Sequence, residues 1–164
     1  MAGLEDLYRE IILDHYRSPR NKGELPVPPA HKVEGFNPLC GDEVVLYVEI
    51  DPATDSVTDV KIAGQGCSIS QASTSMMSAA VKGKPLADVR KLIRAFKALM
   101  SIHESKLEGD GGDGSDLAAE LAGVQLGDLE ALQGVVKFPV RIKCATLAWN
   151  TLQQALDETA QTQA

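Results

Sequence analysis

An α+β fold, in which a small antiparallel β-sheet packs against several α-helices, is the class this sequence predicts. Three observations point to it. Helical apolar spacing fills the first 17 residues, a period-two hairpin follows from Glu43 to Ala63, and helical spacing resumes and dominates the rest. The 164 residues suit a single domain spanning 1–164, because single domains usually hold ~100–200 residues. At that size folding buries about two-thirds of the chain's surface, enough for a core without staples.

Leu4, Leu7, Tyr8, Ile11, Ile12 and His15 follow the i, i+3, i+4 rhythm of an amphipathic helix. It stops near Arg17, since Pro19 disfavours helical geometry at Ser18. From Ser18 to Leu39 the chain is rich in proline and has no periodicity, which reads as an irregular loop. Val44, Leu46, Val48 and Ile50 then lie on one face of a strand over 43–50. A turn at Asp51–Asp55 returns the chain as a second strand over 57–63. Gly64-Gln65-Gly66 breaks the pattern just before Cys67, and Ala72, Met76, Met77 and Ala80 give a weakly amphipathic helix ended by Gly83. Leu86, Val89, Leu92, Ile93, Phe96, Leu99 and Met100 form the clearest helix, with Pro85 at its start. Residues 104–130 hold eight acids against one base, with four closely spaced glycines. This stretch reads as a solvated acidic insertion with one short helix around Leu117–Leu121. Ile142, Ala145, Ala148, Trp149, Leu152, Ala155 and Leu156 make a last helix, entered just after Pro139.

A net charge of −7 and an aromatic content of 4% argue against nucleic-acid partners, which need cations for phosphate and aromatic rings for bases. The uncharged stretch Ile62–Val81 has the length of a membrane span except that five serines, a threonine and two glutamines interrupt it. The N-terminus carries acids where a secretory signal needs a basic start, so the expected place is the cytoplasm, with no membrane partner. Three cysteines are an odd number there. A disulfide framework is therefore disfavoured, and thiol chemistry or metal becomes the question.

Cys40, Cys67 and Cys144 are far apart, and free cysteines are commonly just small buried hydrophobes. Their contexts argue for more. In Cys40-Gly41-Asp42 an extended backbone would turn thiol and carboxylate to one side, and the glycine would allow close approach. Cys67 sits at a strand-to-helix junction. Cys144 lies near a helix N-terminus behind Arg141 and Lys143, features that lower a thiol pKa. One carboxylate and three thiols make four ligands, enough for zinc or for the irons of a cluster, though no closely spaced cysteine pair is present. His15 and His103 fall on helix faces and read as packed histidines, His31 as an exposed loop residue, and Met76 and Met77 as core filler.

Four segments carry a resemblance: Leu7-Tyr8 through Asp14-His15-Tyr16-Arg17-Ser18-Pro19-Arg20-Asn21, then Asn37-Pro38-Leu39-Cys40-Gly41-Asp42, Gly64-Gln65-Gly66-Cys67-Ser68-Ile69-Ser70-Gln71-Ala72-Ser73, and Arg141-Ile142-Lys143-Cys144-Ala145. Through them the sequence resembles the NifU N-terminal/IscU family of iron–sulfur cluster assembly proteins, specifically its SufU branch. Lys143 stands where IscU scaffolds carry a histidine. Phe138-Pro139-Val140-Arg141 replaces their chaperone-binding segment, and the acidic insertion at 104–130 matches the SufU branch.

The resemblance implies a zinc site made by Cys40, Asp42, Cys67 and Cys144, with Cys40 as the catalytic sulfur acceptor. It implies a sulfurtransferase role: sulfur would come from the persulfide of a SufS-type cysteine desulfurase, a histidine of which takes a zinc position and frees Cys40. The recipient would be a SUF scaffold or an apo-protein. The alternative is a scaffold that assembles a [2Fe–2S] cluster on the same cysteines, with iron in place of zinc. Lys143 argues against that alternative, since an ammonium cannot ligate. A purely structural zinc module is a third reading.

Overall fold

The computed structural model describes residues 4–27, 29–38, 40–108 and 127–163. Its order is α1 (Leu4–Arg17), β1 (His31–Asn37), β2 (Asp42–Asp51), β3 (Ser56–Gln65), α2 (Ser68–Val81), α3 (Leu86–Glu108), a 3₁₀ helix (Gly127–Lys137) and α4 (Pro139–Gln163). The α+β class stands: three antiparallel strands in the order β1-β2-β3 lie against the helices.

The hairpin of β2 and β3 matches the expected strands to within two residues at each end. Its turn is fastened by Asp51, whose carboxylate accepts the backbone N–H of Ala53 at 2.9 Å. The irregular reading of 18–39 needs correction, because its last third pairs with β2 as β1, from His31 opposite Val48 to Asn37 opposite Asp42. Gly35 takes an inward position of β1, and a Cβ there would run into Thr151 of α4. The close approach of a helix is what removes an apolar side chain from the pattern. The earlier part of the same segment runs along β3, where Ile62 exchanges backbone hydrogen bonds with Asn21 and Gly23 at 2.9 and 3.0 Å. A sheet edge is thereby covered.

Val33, Val44, Leu46, Val48, Val60 and Ile62 form the sheet's buried face. Opposite them, α2 is buried nearly all round, including Ser70, Ser73, Thr74, Ser75 and Ser78. That explains its weak amphipathicity. The serines are interior connectors. Ser73 donates to the Ala145 carbonyl at 2.6 Å and accepts from the Trp149 indole at 3.3 Å. Ser75 bonds the His15 ring at 2.8 Å and accepts the Arg20 N–H at 2.8 Å. Ser78 takes up Asn21 and the Arg20 carbonyl. The hydroxyls of Ser73, Ser75 and Ser78 replace the water they lose on burial, which keeps a polar helix inside at little cost, whereas Ser70 Oγ is buried without a hydrogen-bond partner among the described residues. Met76 and Met77 are core residues, as expected.

The first helix and the entry of the last at Pro139 agree with the sequence reading, while α3 continues to Glu108. The insertion is corrected at its end. Residues 127–137 are helical, with Leu129, Ala131, Leu132 and Val135 buried, and Asp128 bonds the other nitrogen of His15 at 2.9 Å. Residues 109–126, with the helix expected around Leu117–Leu121, lie outside the described residues, as does the side chain of His103. No helix among the described residues is long and apolar enough to cross a membrane.

At the centre of the core Trp149 stacks on Phe96, centroids 4.6 Å apart and planes 18° from parallel. Both rings are fully buried, and they join α4 to α3. Trp149→Ala would lose that contact and the Ser73 bond together. Urea denaturation should show a loss of about 3–5 kcal/mol, and a loss under about 1 kcal/mol would mean the ring is not central to the core.

Candidate metal centre

Asp42 begins β2 and is fully buried. A buried carboxylate must find hydrogen bonds, and two of its donors are nitrogens. Its Oδ1 accepts the backbone N–H of Cys67 at 2.9 Å, and its Oδ2 accepts from the side-chain amide of Asn37 at 3.4 Å. The first bond fixes the start of α2 against the start of β2. Two glycines make that approach possible. A Cβ on Gly64 would run into the carbonyl of Glu43, and one on Gly66 would lie 2.5 Å from Asp42 Oδ1.

Cys40 sits in the connection between β1 and β2. The sequence reading placed it in extended backbone, with alternation aiming it at the same side as Asp42. The physical route is different. Asn37 and Asp42 pair at the base of a tight connection, and Gly41 at φ 69° turns the chain. The turn, rather than strand alternation, brings the thiol back over the carboxylate. Cys144 arrives from the first turns of α4. The sulfurs of Cys40 and Cys144 and an oxygen of Asp42 lie within 4.8 Å of one another, with the two sulfurs 3.4 Å apart.

Cys67 is the N-cap of α2, its sulfur accepting the N–H of Ser70 at 3.4 Å. It falls outside the three-donor group, yet it is a hydrogen-bonding neighbour of Cys144. Three of the four expected donors therefore converge, and the fourth stands beside them. Donors about 2.3 Å (sulfur) or 2.0–2.2 Å (oxygen) from a tetrahedral zinc are roughly 3.3–3.8 Å from each other. The Cys40–Cys144 separation is of that size. Two thiols and a carboxylate suit zinc, and the buried Asp42 gives the set one firm side.

The expectation of a readily ionised Cys144 does not hold. Burial pushes its thiol well above the ordinary range, and hydrogen bonds with Asp42, Cys40 and Cys67 add to the rise. Helix-end and cationic effects are outweighed by removal from water and by neighbours that are themselves acids. Arg141 is the cation that answers this group. Its guanidinium is held further up by a hydrogen bond to Cys144 and by the charge of Cys67, whereas Lys143 is exposed.

Asn37 is a neighbour of the centre that the sequence reading did not single out. It is buried, and its amide reaches Cys144 Sγ at 3.8 Å as well as Asp42. Its place at a strand end, opposite the acid of Cys40-Gly41-Asp42, would have flagged it had β1 been recognised. His15 is a packed histidine, as expected. His31 is corrected from loop residue to the first residue of β1, bonded to Glu158 at 2.7 Å. Neither belongs to the centre.

The family model described as NifU-like N terminal domain matches residues 7–121. A zinc-dependent sulfurtransferase SufU from Bacillus subtilis (strain 168) is 44% identical over 155 residues, covering 94% of this chain and 92% of that protein. An iron–sulfur cluster assembly scaffold protein IscU from Streptococcus pyogenes serotype M1 is 37% identical over 163 residues, covering 99% and 91%. Among solved structures, a protein proposed as iron–sulfur cluster assembly scaffold for the SUF system of Fervidobacterium islandicum AW-1 superposes with a TM-score of 0.70 at 34% identity, covering 94% of this chain and 99% of that one. A NifU-like N-terminal domain from Brucella abortus gives 0.73 at 20% identity, covering 96% and 97%, which speaks to the fold alone.

The raised Cys144 thiol has a measurable consequence in protein stripped of metal. The unfolded chain loses this proton first, so the stability it contributes is complete below the ordinary thiol value of about 8.5 and is lost as pH rises above it. Iodoacetamide should label half-buried Cys40 before Cys144, and Cys144 labelling should climb with alkaline pH. Equal labelling of the two at pH 8 would contradict the geometry.

Proposed function

Because this chain belongs to the NifU-like N-terminal domain family, on its SufU branch, we propose that it is a zinc-dependent sulfur acceptor. It serves iron–sulfur cluster assembly, the work of that family, in the cytoplasm. The observation that carries this reading is the convergence of Cys40, Asp42 and Cys144 with Cys40 on the accessible side: it is half-buried, while Cys144 is fully buried.

Cys40, Asp42, Cys67 and Cys144 would hold the zinc, which supplies the positive charge that keeps thiols ionised. Three thiolates and a carboxylate around a divalent cation leave a net charge of about −2, and Arg141 lies against the sulfurs to offset it. Asp42 and Cys67 are anchored by backbone hydrogen bonds at element starts. Cys40 rides on the β1–β2 connection and can leave without disturbing either helix.

The donor is a SufS-type cysteine desulfurase bearing a cysteine persulfide. Cys40 thiolate attacks the outer sulfur of that persulfide. A new S–S bond forms on Cys40, the donor's S–S bond breaks, and the electron pair leaves on the donor cysteine as thiolate. No external oxidant or reductant is consumed. Phe36, Phe138 and Val140, three of the large apolar side chains most exposed to solvent, lie in the segments next to Asn37 and Arg141 and suit a protein partner. The sulfur then passes to a SUF scaffold or an apo-protein.

A second reading, a [2Fe–2S] scaffold on the same residues, has the IscU likeness in its favour. Its weakness is Lys143, an exposed ammonium that offers no ligand.

Mass spectrometry after one desulfurase turnover should find the persulfide on Cys40 and none in Cys40→Ser. A persulfide mainly on Cys144 would overturn the assignment. Asp42→Ala, purified from iron-replete cells, should be colourless, with zinc weakened at least as much as the roughly 10–100-fold seen for outer-shell losses and poor desulfurase stimulation. A brown, cluster-loaded, zinc-free variant would instead establish the scaffold.

A further inference from the structure

Asn37 stands at the base of the connection that carries Cys40. It is the last residue of β1 and the register partner of Asp42. It is 6% exposed, and its Nδ2 lies 3.4 Å from Asp42 Oδ2 and 3.8 Å from Cys144 Sγ. One amide thus faces two members of the donor set and spans the gap between β2 and α4. We propose that Asn37 is a positioning residue, which holds Asp42 and Cys144 in ligating geometry independently of Cys40. This inference rests on the metal set assigned above.

The chemistry of the side chain fits the task. An amide N–H can donate to a carboxylate oxygen and to a sulfur, and Asn37 presents its amide to both. It carries no charge that would pair with Asp42 and withdraw it from a cation. It takes up one oxygen of Asp42 from the β1 side, while the other accepts the Cys67 N–H, so the carboxylate is held from both sides by neutral donors. The consequence for sulfur transfer is direct. When Cys40 turns outward to attack a persulfide, the two donors nearest to it would lose a neighbour on one side. Asn37 restrains both from the opposite strand, so the centre keeps its shape while its accessible thiol is away. Outer-shell hydrogen bonds of this kind orient ligands and tune affinity.

The decisive experiment compares wild type, Asn37→Ala, Asn37→Asp and Asp42→Ala as full chains loaded with Co²⁺. Affinity is read by chelator competition and ligand geometry from the d–d absorption bands, with far-ultraviolet circular dichroism as a check on folding. Asn37→Ala should bind Co²⁺ about 10–100-fold more weakly with shifted bands and unchanged secondary structure. Asn37→Asp has the same shape, but it replaces a donor with a negative charge and should bind more weakly still. A role confined to shaping the loop would leave the isosteric Asp variant close to wild type. Should the Ala variant fail to fold, the Asp variant decides. Wild-type affinity and bands in Asn37→Asp, alongside a clear loss in Asp42→Ala, would overturn the role of Asn37 while leaving the metal set standing. Unweakened binding in Asp42→Ala would overturn the metal set and this inference together.

Discussion

A carboxylate removed from water at the start of a strand is the constraint around which this molecule is arranged. Asp42 is fully buried, and burying an unpaired charge costs more than a small domain's whole stability. Its partners are therefore structural necessities. One oxygen draws in the backbone of Cys67, which sets where α2 begins. The other draws in Asn37, which closes the β1–β2 connection. Gly64 and Gly66 are small because a side chain at either would occupy the space this convergence uses. Two segments distant in sequence, 37–42 and 64–67, are thereby brought to one point, and each brings a cysteine with it.

The rest of the fold holds the remaining donor against that point. Cys144 rides on α4, and α4 is clamped to α2 through Ser73 and to α3 through the Trp149–Phe96 stack. On the far side of α2, Ser75 and Ser78 secure α1 and the segment after it, and His15 carries the linkage on to Asp128. The interior polar bonds are directional, whereas the apolar core is not. Register of the helices around the centre follows from the former and cohesion from the latter. The proposed centre, which presents Cys40 while Asp42, Cys67 and Cys144 stay in place, is well served by such a frame.

Much of this was legible in the residues. The β2–β3 hairpin announced itself by clean alternation, and α1, α3 and α4 by apolar spacing. The cysteines and Asp42 stood out by their places at element ends. β1 was hidden because Gly35 replaces an inward side chain where Thr151 crosses, so a strand of seven residues shows little alternation. The 3₁₀ helix was hidden by its acidic neighbours, although Leu129, Leu132 and Val135 are core. Missing β1 meant missing Asn37, since only strand register reveals that it faces Asp42. The Cys144 thiol departs from the sequence reading because helix-end effects are local and visible in sequence, while its burial and its hydrogen bonds with Asp42, Cys40 and Cys67 are tertiary facts.

X-ray absorption at the zinc edge of protein purified without added metal tests the central claim most directly, because it reports the donors rather than their consequences. One zinc per chain is expected, with three sulfur scatterers at about 2.3 Å and one oxygen at about 2.0–2.2 Å. A first shell made only of nitrogen and oxygen, or folded protein with no zinc, would contradict it.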